Sequence, residues 1–231
     1  MKTILETDVD FICDIQSPCF QTITQEEVVL VRASKTQVLF RKGDNLTKQG
    51  TFASYILFVM KGLAMQYLEG DYNKSFNLKI IKPGDFIGLS SVFTKNTFDY
   101  STVALTDCQA FLIEKESLTE IIKNNGTFGL GIIKRYCEQN SNMYLTLNTV
   151  LYKQMNGRMA EVLLNLDSFK AEFPEIFEQL GRKDIANFAG ITTESAVKIL
   201  KSFEKEGLIE LTNKDIILLN YNDLKEISKR G

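Results

Sequence analysis

The residues best placed to do chemistry in this chain lie in the stretch RKDIANFAGITTESAVKILKSFEK, residues 182–205. At helical spacing Thr193, Glu194, Val197, Lys198 and Lys201 share one face, with Thr192 and Ser195 at the start of that helix and Arg182 heading the segment before it. These side-chain types suit the edges of base pairs. A carboxylate accepts from cytosine N4, an ammonium donates to guanine or to a phosphate, and hydroxyls do either. Double-stranded DNA is therefore the expected partner of these eight residues. A plainer reading also stands, in which two helices of an ordinary helical domain show a solvated outer face.

The apolar residues indicate what positions that face. Ile185, Ala186 and Ala189 form the inner side of a first helix, Gly190 suits the left-handed backbone of a tight turn, and Ile191 sits at the corner. Thr192 caps a second helix with Ala196, Ile199, Leu200 and Phe203 on its inner side. Downstream, 209–211 and 216–219 flank Thr212-Asn213-Lys214-Asp215 and predict a short hairpin, which makes the whole a winged helix-turn-helix. The stretch holds five bases (Arg182, Lys183, Lys198, Lys201, Lys205) against three acids (Asp184, Glu194, Glu204), in a chain of net charge −2. That balance argues for salt-sensitive contact that depends on sequence, and against binding driven by charge alone.

Composition narrows the classes further. With 231 residues, 44% hydrophobic and 24% charged, the chain has soluble globular character and room for two domains. It has no histidine, which excludes the usual zinc sites, histidine-ligated haem and histidine-based catalytic triads. Its four cysteines, Cys13, Cys19, Cys108 and Cys137, are scattered and expected to be free thiols. No nucleophile with a base, carboxylate pair or phosphate loop emerges, so neither catalytic residues nor a metal site is expected. The start, MKTILETDVDF, lacks the pattern of a signal peptide, and no apolar run is long enough to span a bilayer. The expectation is a cytoplasmic protein without a membrane partner.

In chain order, residues 1 to about 37 read as short helices, with Thr24-Gln25-Glu26-Glu27 starting a capped one. From Thr36 the period becomes that of strands: Val38 and Phe40, 55–60, 63–68, 76–81, 103–105 and 110–113, punctuated by glycine turns. Many short strands at that spacing predict an antiparallel barrel or roll. A short helix near 117–123 follows, then a long one over about 127–152. On the long helix Tyr136, Met143 and Val150 repeat every seven residues with Asn140, Leu147 and Gln154 between them. At ~1.5 Å per residue it is about 38 Å long, more than a small roll covers, which favours these six residues as a seam between two chains. Met155-Asn156-Gly157 is expected to break the helix at a hinge. The domains are thus 1–125, a roll with a helical lead-in; 126–155, the long dimerisation helix and hinge; and 156–231, the winged helix-turn-helix.

Those parts, carried in order by FRKGDNL, SYILFVMKGLAMQY, KPGDFIGLSSVF, NGRMAEVLLNL and RKDIANFAGITTESAVKILKSFEKEGLIE, resemble the Crp-Fnr superfamily of bacterial transcription regulators. The resemblance implies an α+β fold with an N-terminal antiparallel β-roll of the double-stranded β-helix type, a long dimerisation helix and a C-terminal winged helix-turn-helix. It implies a homodimer reading a pseudo-palindromic site, with RNA polymerase as a further partner. It also implies an unknown small-molecule effector between roll and long helix, against Gly88, Leu89, Ser90, Tyr100, Ser101, Tyr136, Asn140, Met143 and Tyr144. The family's base-reading stretch falls on 192–198, where Thr193 and Lys198 replace its arginines and Glu194 is kept; lysine lacks the bidentate fork, so the half-site is expected to differ.

The same resemblance argues against the family's usual cofactors. Its cyclic-nucleotide cassette has a glutamate after the glycine and a later arginine, whereas this chain has Gly88-Leu89 and Asp99-Tyr100-Ser101, with Lys95 as the nearby cation. No cAMP is expected. Nor is an iron–sulfur cluster, since only Cys13 and Cys19 lie near the start and Cys108 is displaced from the matching strand position. Haem held by histidine is excluded. The regulator is then controlled by another effector or by none. A roll that senses a ligand or partner, with a helix-turn-helix that no longer reads DNA, remains the alternative.

Overall fold

In the computed structural model, residues 1–9, 11–12, 18–94 and 96–231 are described. Cys13 and Lys95 lie outside the described residues, as does the side chain of Cys19. Packing divides the chain into two compact units, Met1–Asn73 with Lys79–Ser141, and Lys74–Leu78 with Asn142–Gly231.

The first unit holds most of the roll, whose sixth strand begins in the segment Lys74–Leu78. The strands of the roll are β1 (Lys2–Ile4), β2 (Lys35–Phe40), β3 (Asn45–Thr47), β4 (Tyr55–Lys61), β5 (Ala64–Glu69), β6 (Ser75–Ile81), β7 (Phe86–Ile87), β8 (Ser101–Ala104) and β9 (Cys108–Glu114). They form a five-stranded sheet in the order β1-β2-β9-β4-β7 and a four-stranded sheet in the order β3-β8-β5-β6. The alternation along β4 shows why two layers form. Leu57 and Val59 point into one cluster with Val38, Phe40, Ala64, Ile81, Ile87, Ala104 and Ala110 between the sheets. Ile56 and Phe58 point the other way, into a second cluster with Phe20, Val31, Phe86, Leu118, Ile121 and Phe128. That second cluster seats three helices on the sheet, α1 (Gln25–Ala33), α2 (Lys115–Asn124) and the first turns of α3 (Gly126–Tyr152). Phe58 meets Phe86 at 4.9 Å and Phe20 at 5.4 Å between ring centroids, and Phe20 meets Phe128 at 5.6 Å. Arg135 on α3 donates to the Gly84 carbonyl at 2.6 Å and lies 5.8 Å from the Phe86 ring, which fixes the helix one turn further.

The start of the chain differs from the helical expectation. β1 pairs antiparallel with β2, Thr3 opposite Val38, because the outer edge of β2 offers free backbone groups and the Met1 ammonium is held by Asp44 at 3.0 Å. The helix start at Thr24 is as expected, a reciprocal cap in which Thr24 accepts from the Glu27 amide and Glu27 accepts from the Thr24 amide.

In the second unit α4 (Met155–Asp167) is joined by α5 (Arg182–Ala189), α6 (Thr193–Lys205), the hairpin β10 (Ile209–Leu211) and β11 (Ile216–Leu218), and α7 (Tyr221–Arg230). The helix break falls two residues before its expected place, at Lys153-Gln154, and Met155, Asn156 and Gly157 belong to α4. Within α4 a glycine is required at 157 by the close approach of the residue that caps α7: a Cβ there would lie 2.7 Å from the Gly231 Cα. The Lys153 ammonium joins Glu161 and Ser228, both at 3.0 Å, tying the segment after α3 to α4 and α7.

Candidate nucleic-acid interface

The helix-turn-helix is built from local rules. The Asp184 carboxylate accepts from the Gly181 amide at 2.8 Å and opens α5, while Gly190 ends it in the left-handed region at φ 62°, a backbone that a β-carbon would strain. The Ile191 amide closes the turn on the Ala186 carbonyl at 3.1 Å. Thr192 then caps α6 by accepting from the Ser195 amide at 3.1 Å, and the two hydroxyls bond each other at 3.0 Å. Ala196, Ile199, Leu200 and Phe203 are buried against Ile185, Ala186 and Ala189, which orients the opposite face outward.

On that face Thr193, Glu194, Lys198 and Lys201 are exposed, and among the described residues their side chains make no hydrogen bond or ion pair with the rest of the chain. These four groups are brought together and left open. Arg182, Ser195 and Val197 are half-buried, and the hydroxyls of Thr192 and Ser195 are spent on the cap. Val197 therefore offers only part of an apolar edge.

The wing is held beside α6 by contacts that sequence reasoning missed. Lys170, after α4, donates to the Ile216 carbonyl at 2.9 Å and to Asp215 at 3.2 Å, with its ammonium 5.0 Å from the Phe177 ring centroid. Glu204 accepts from the Leu211 amide at 3.1 Å, which links the end of α6 to β10. Helix α7 was also missed, although Asn220 ahead of Asp223 and Leu224 carries a cap signal: Asn220 accepts from the Asp223 amide at 3.2 Å, and Leu224 is fully buried. A lone lysine in a loop carries no such signal.

The expected effector residues are held by hydrogen bonds within the roll. The Tyr100 hydroxyl accepts from the Gly88 amide at 2.9 Å, and burial pushes its pKa up to about 12, so it stays a neutral phenol. Ser91 donates to the Gly88 carbonyl at 2.7 Å, and Ser90 donates to Asp99 at 2.8 Å. Ser101 donates to Glu69 at 2.5 Å and accepts from the Gln49 amide at 2.8 Å; the Lys48 ammonium and then Ser101 hold the Glu69 carboxyl below its ordinary pKa. Leu89 is buried in the core at 2% exposure. Gly88, Ser90, Tyr100 and Ser101 are thus bonded among themselves and to their neighbours. On α3, Tyr136, Met143 and Tyr144 are exposed and Asn140 is half-buried.

The expected seam lies on a helix whose outer side is unusually apolar. Leu130, Ile133, Tyr144, Leu147 and Leu151 are between 52% and 67% exposed, with Cys137 also exposed and Asn140 half-buried in the same row. Their alternating steps of three and four residues form a heptad stripe. It runs one residue after the Tyr136, Met143 and Val150 row, of which Val150 is half-buried.

Among the described residues no group of three or more metal-ligating side chains exists, and no helix is long and apolar enough to cross a membrane. Cys108 is fully buried, its thiol bonded to the Leu63 carbonyl at 3.0 Å and pushed by burial to a pKa of about 11.

Comparison with known proteins agrees with this architecture. A family model described as a cyclic nucleotide-binding domain matches residues 37–125, and one described as a Crp-like helix-turn-helix domain matches 157–227. The chain is 22% identical over 181 residues to the cAMP-activated global transcriptional regulator CRP of Pasteurella multocida, covering 75% of this chain and 85% of that protein. Its fold is similar to FixK2 from Bradyrhizobium japonicum, with TM-score 0.74 at 20% identity over 84% of this chain and 96% of that one. It is also similar to the c-di-GMP responsive global regulator CLP of Xanthomonas campestris, with TM-score 0.73 at 18% identity over 84% and 99%. The class is that of DNA-binding transcription regulators with a helix-turn-helix. The chain belongs to the Crp-Fnr superfamily.

Proposed function

We propose that the chain is a homodimeric, cytoplasmic regulator of transcription that reads a pseudo-palindromic site on double-stranded DNA without cAMP. The observation that carries this is the face of α6, where Thr193, Glu194, Lys198 and Lys201 stand exposed and unbonded over a fully packed inner side. Glu194 and Lys198 take base edges, Thr193 takes a base or phosphate, and Lys201 with Arg182 takes phosphates. The α3 stripe pairs with a second copy, because a row of apolar side chains more than half exposed over six turns has no cover among the described residues. Two α6 helices then enter successive major grooves.

The bonded state of the Gly88–Ser101 region supports independence from cyclic nucleotides. A phosphodiester there would have to displace the Tyr100 phenol from the Gly88 amide, beside the Asp99 carboxylate. Control then rests with another effector or with none, and RNA polymerase is the partner through which bound protein acts. No catalytic step belongs to this reading.

The alternative, a roll with a helix-turn-helix that no longer reads DNA, draws on the net charge of −2. Binding to a selected palindrome across a salt series separates the two. A reader loses affinity linearly on log–log axes, by about 0.9 per phosphate contact. A module that no longer reads DNA gives no specific binding at any salt.

A further inference from the structure

A groove in the first unit is lined by residues that neither the DNA face nor the Gly88, Ser90, Tyr100 and Ser101 hydrogen bonds use. One side of α2 and the chain before β8 border an open groove of about 420 Å³, within the range of small-ligand sites. Lys115, Glu116, Thr119, Glu120 and Lys123 line it from α2, and Asn96 lines it from across. Lys115 is only 7% exposed, and its ammonium donates to the Asn96 side-chain oxygen at 2.7 Å. An ammonium has three donors, and among the described residues this bond is its single polar contact. Nor, among the described residues, does any ion pair engage Glu116, Glu120 or Lys123. Burying a lysine head without a counter-charge is costly, so a groove that does so beside unspent carboxylates is arranged for a guest.

The charges define the guest. Among the described residues two ammonium groups and two carboxylates line the space, so these walls are neutral overall. A phosphate would meet Glu116 and Glu120, and a bare cation would meet Lys115 and Lys123. A small molecule with one carboxylate and one ammonium satisfies both pairs. We propose that this groove binds a free amino acid, its carboxylate on Lys115 and the Asn96 amide, its ammonium on Glu116 and Glu120. Thr119 donates to the Lys115 carbonyl at 2.7 Å and so keeps its hydroxyl oxygen as an acceptor at the inner wall.

The test uses full-length protein and does not involve DNA, so its result is independent of the regulatory reading above. Each of the common L-amino acids, at ~10 mM to reveal millimolar affinity, is screened by thermal shift, and hits are titrated by calorimetry. Acetate and methylammonium serve as one-headed controls. The expected result is saturable binding of at least one amino acid, with neither control binding. Binding weakens about 10- to 100-fold in Lys115→Met and in Glu120→Gln, as loss of a charge-assisted hydrogen bond requires. Glu120 is exposed, so its variant tests the site even if Lys115→Met fails to fold. The proposal is overturned if no amino acid binds, if acetate binds as well as the amino acid, or if binding survives Glu120→Gln.

Discussion

Glu194→Ala separates reading from mere attachment. The Glu194 side chain is exposed in the first turn of α6 and bonds nothing in its own chain, so its removal leaves the fold in place. Loss of an acid from a helix N-terminus costs at most roughly 0.3–1 kcal/mol. A bidentate or charge-assisted base contact discriminates by roughly 1–3 kcal/mol. The substitution enters both half-sites of a dimer, so affinity for the selected palindrome should fall by roughly 2–6 kcal/mol if the half-sites act independently. On scrambled DNA the direction is opposite. The local excess of bases over acids in 182–205 rises from two to three, and attachment to phosphates strengthens slightly. Fluorescence anisotropy with both duplexes at matched salt measures the two effects together. Equal losses on palindrome and scrambled DNA would refute the role of Glu194 as a base reader.

Further predictions concern the seam, the wing and pH. If α3 pairs in parallel along its exposed stripe, Cys137 faces the partner's Cys137 within disulfide reach, roughly 4.4–6.8 Å between Cα atoms. Mild oxidation should then yield a covalent dimer on a non-reducing gel that Cys137→Ser abolishes; its absence would move the seam to another face. Lys170→Met should destabilise the C-terminal unit by roughly 1.5–3 kcal/mol, since it removes charge-assisted bonds to Ile216 and Asp215, and Lys170→Arg should restore part of that loss in chemical denaturation. Because Lys48 and Ser101 depress the Glu69 pKa in the folded state, Glu69 contributes stability above its unfolded value of roughly 4.3, lost as pH falls through the folded value. Thermal unfolding between about pH 5 and pH 3 should be less steep in pH for Glu69→Gln, and an unchanged slope would show that the pair contributes nothing.

The helix-turn-helix was legible because each of its parts has a local signature. Gly190, Thr192 and the spacing of Ala196, Ile199, Leu200 and Phe203 specify turn, cap and inner face without help from distant residues. Strands β4 and β9 were equally plain as short apolar runs, 55–60 and 110–113, set off from their neighbours. The short strands β3 and β7, and β1, were not, because two or three residues carry no periodicity and their pairing is decided by the edges they meet. Gly157 misled for a related reason: glycine signals a break locally, while the close approach of α7 that makes it necessary in a helix is tertiary. The bond from the Gly88 amide to Tyr100 joins backbone and side chain twelve residues apart and has no sequence pattern.

The most direct measurement is selection of random double-stranded DNA by the purified full-length protein at moderate salt, with and without cAMP. The account predicts one two-fold symmetric motif, enriched without nucleotide and unchanged by it. A motif that appears only with cAMP, or recovered DNA without a symmetric motif, would contradict it.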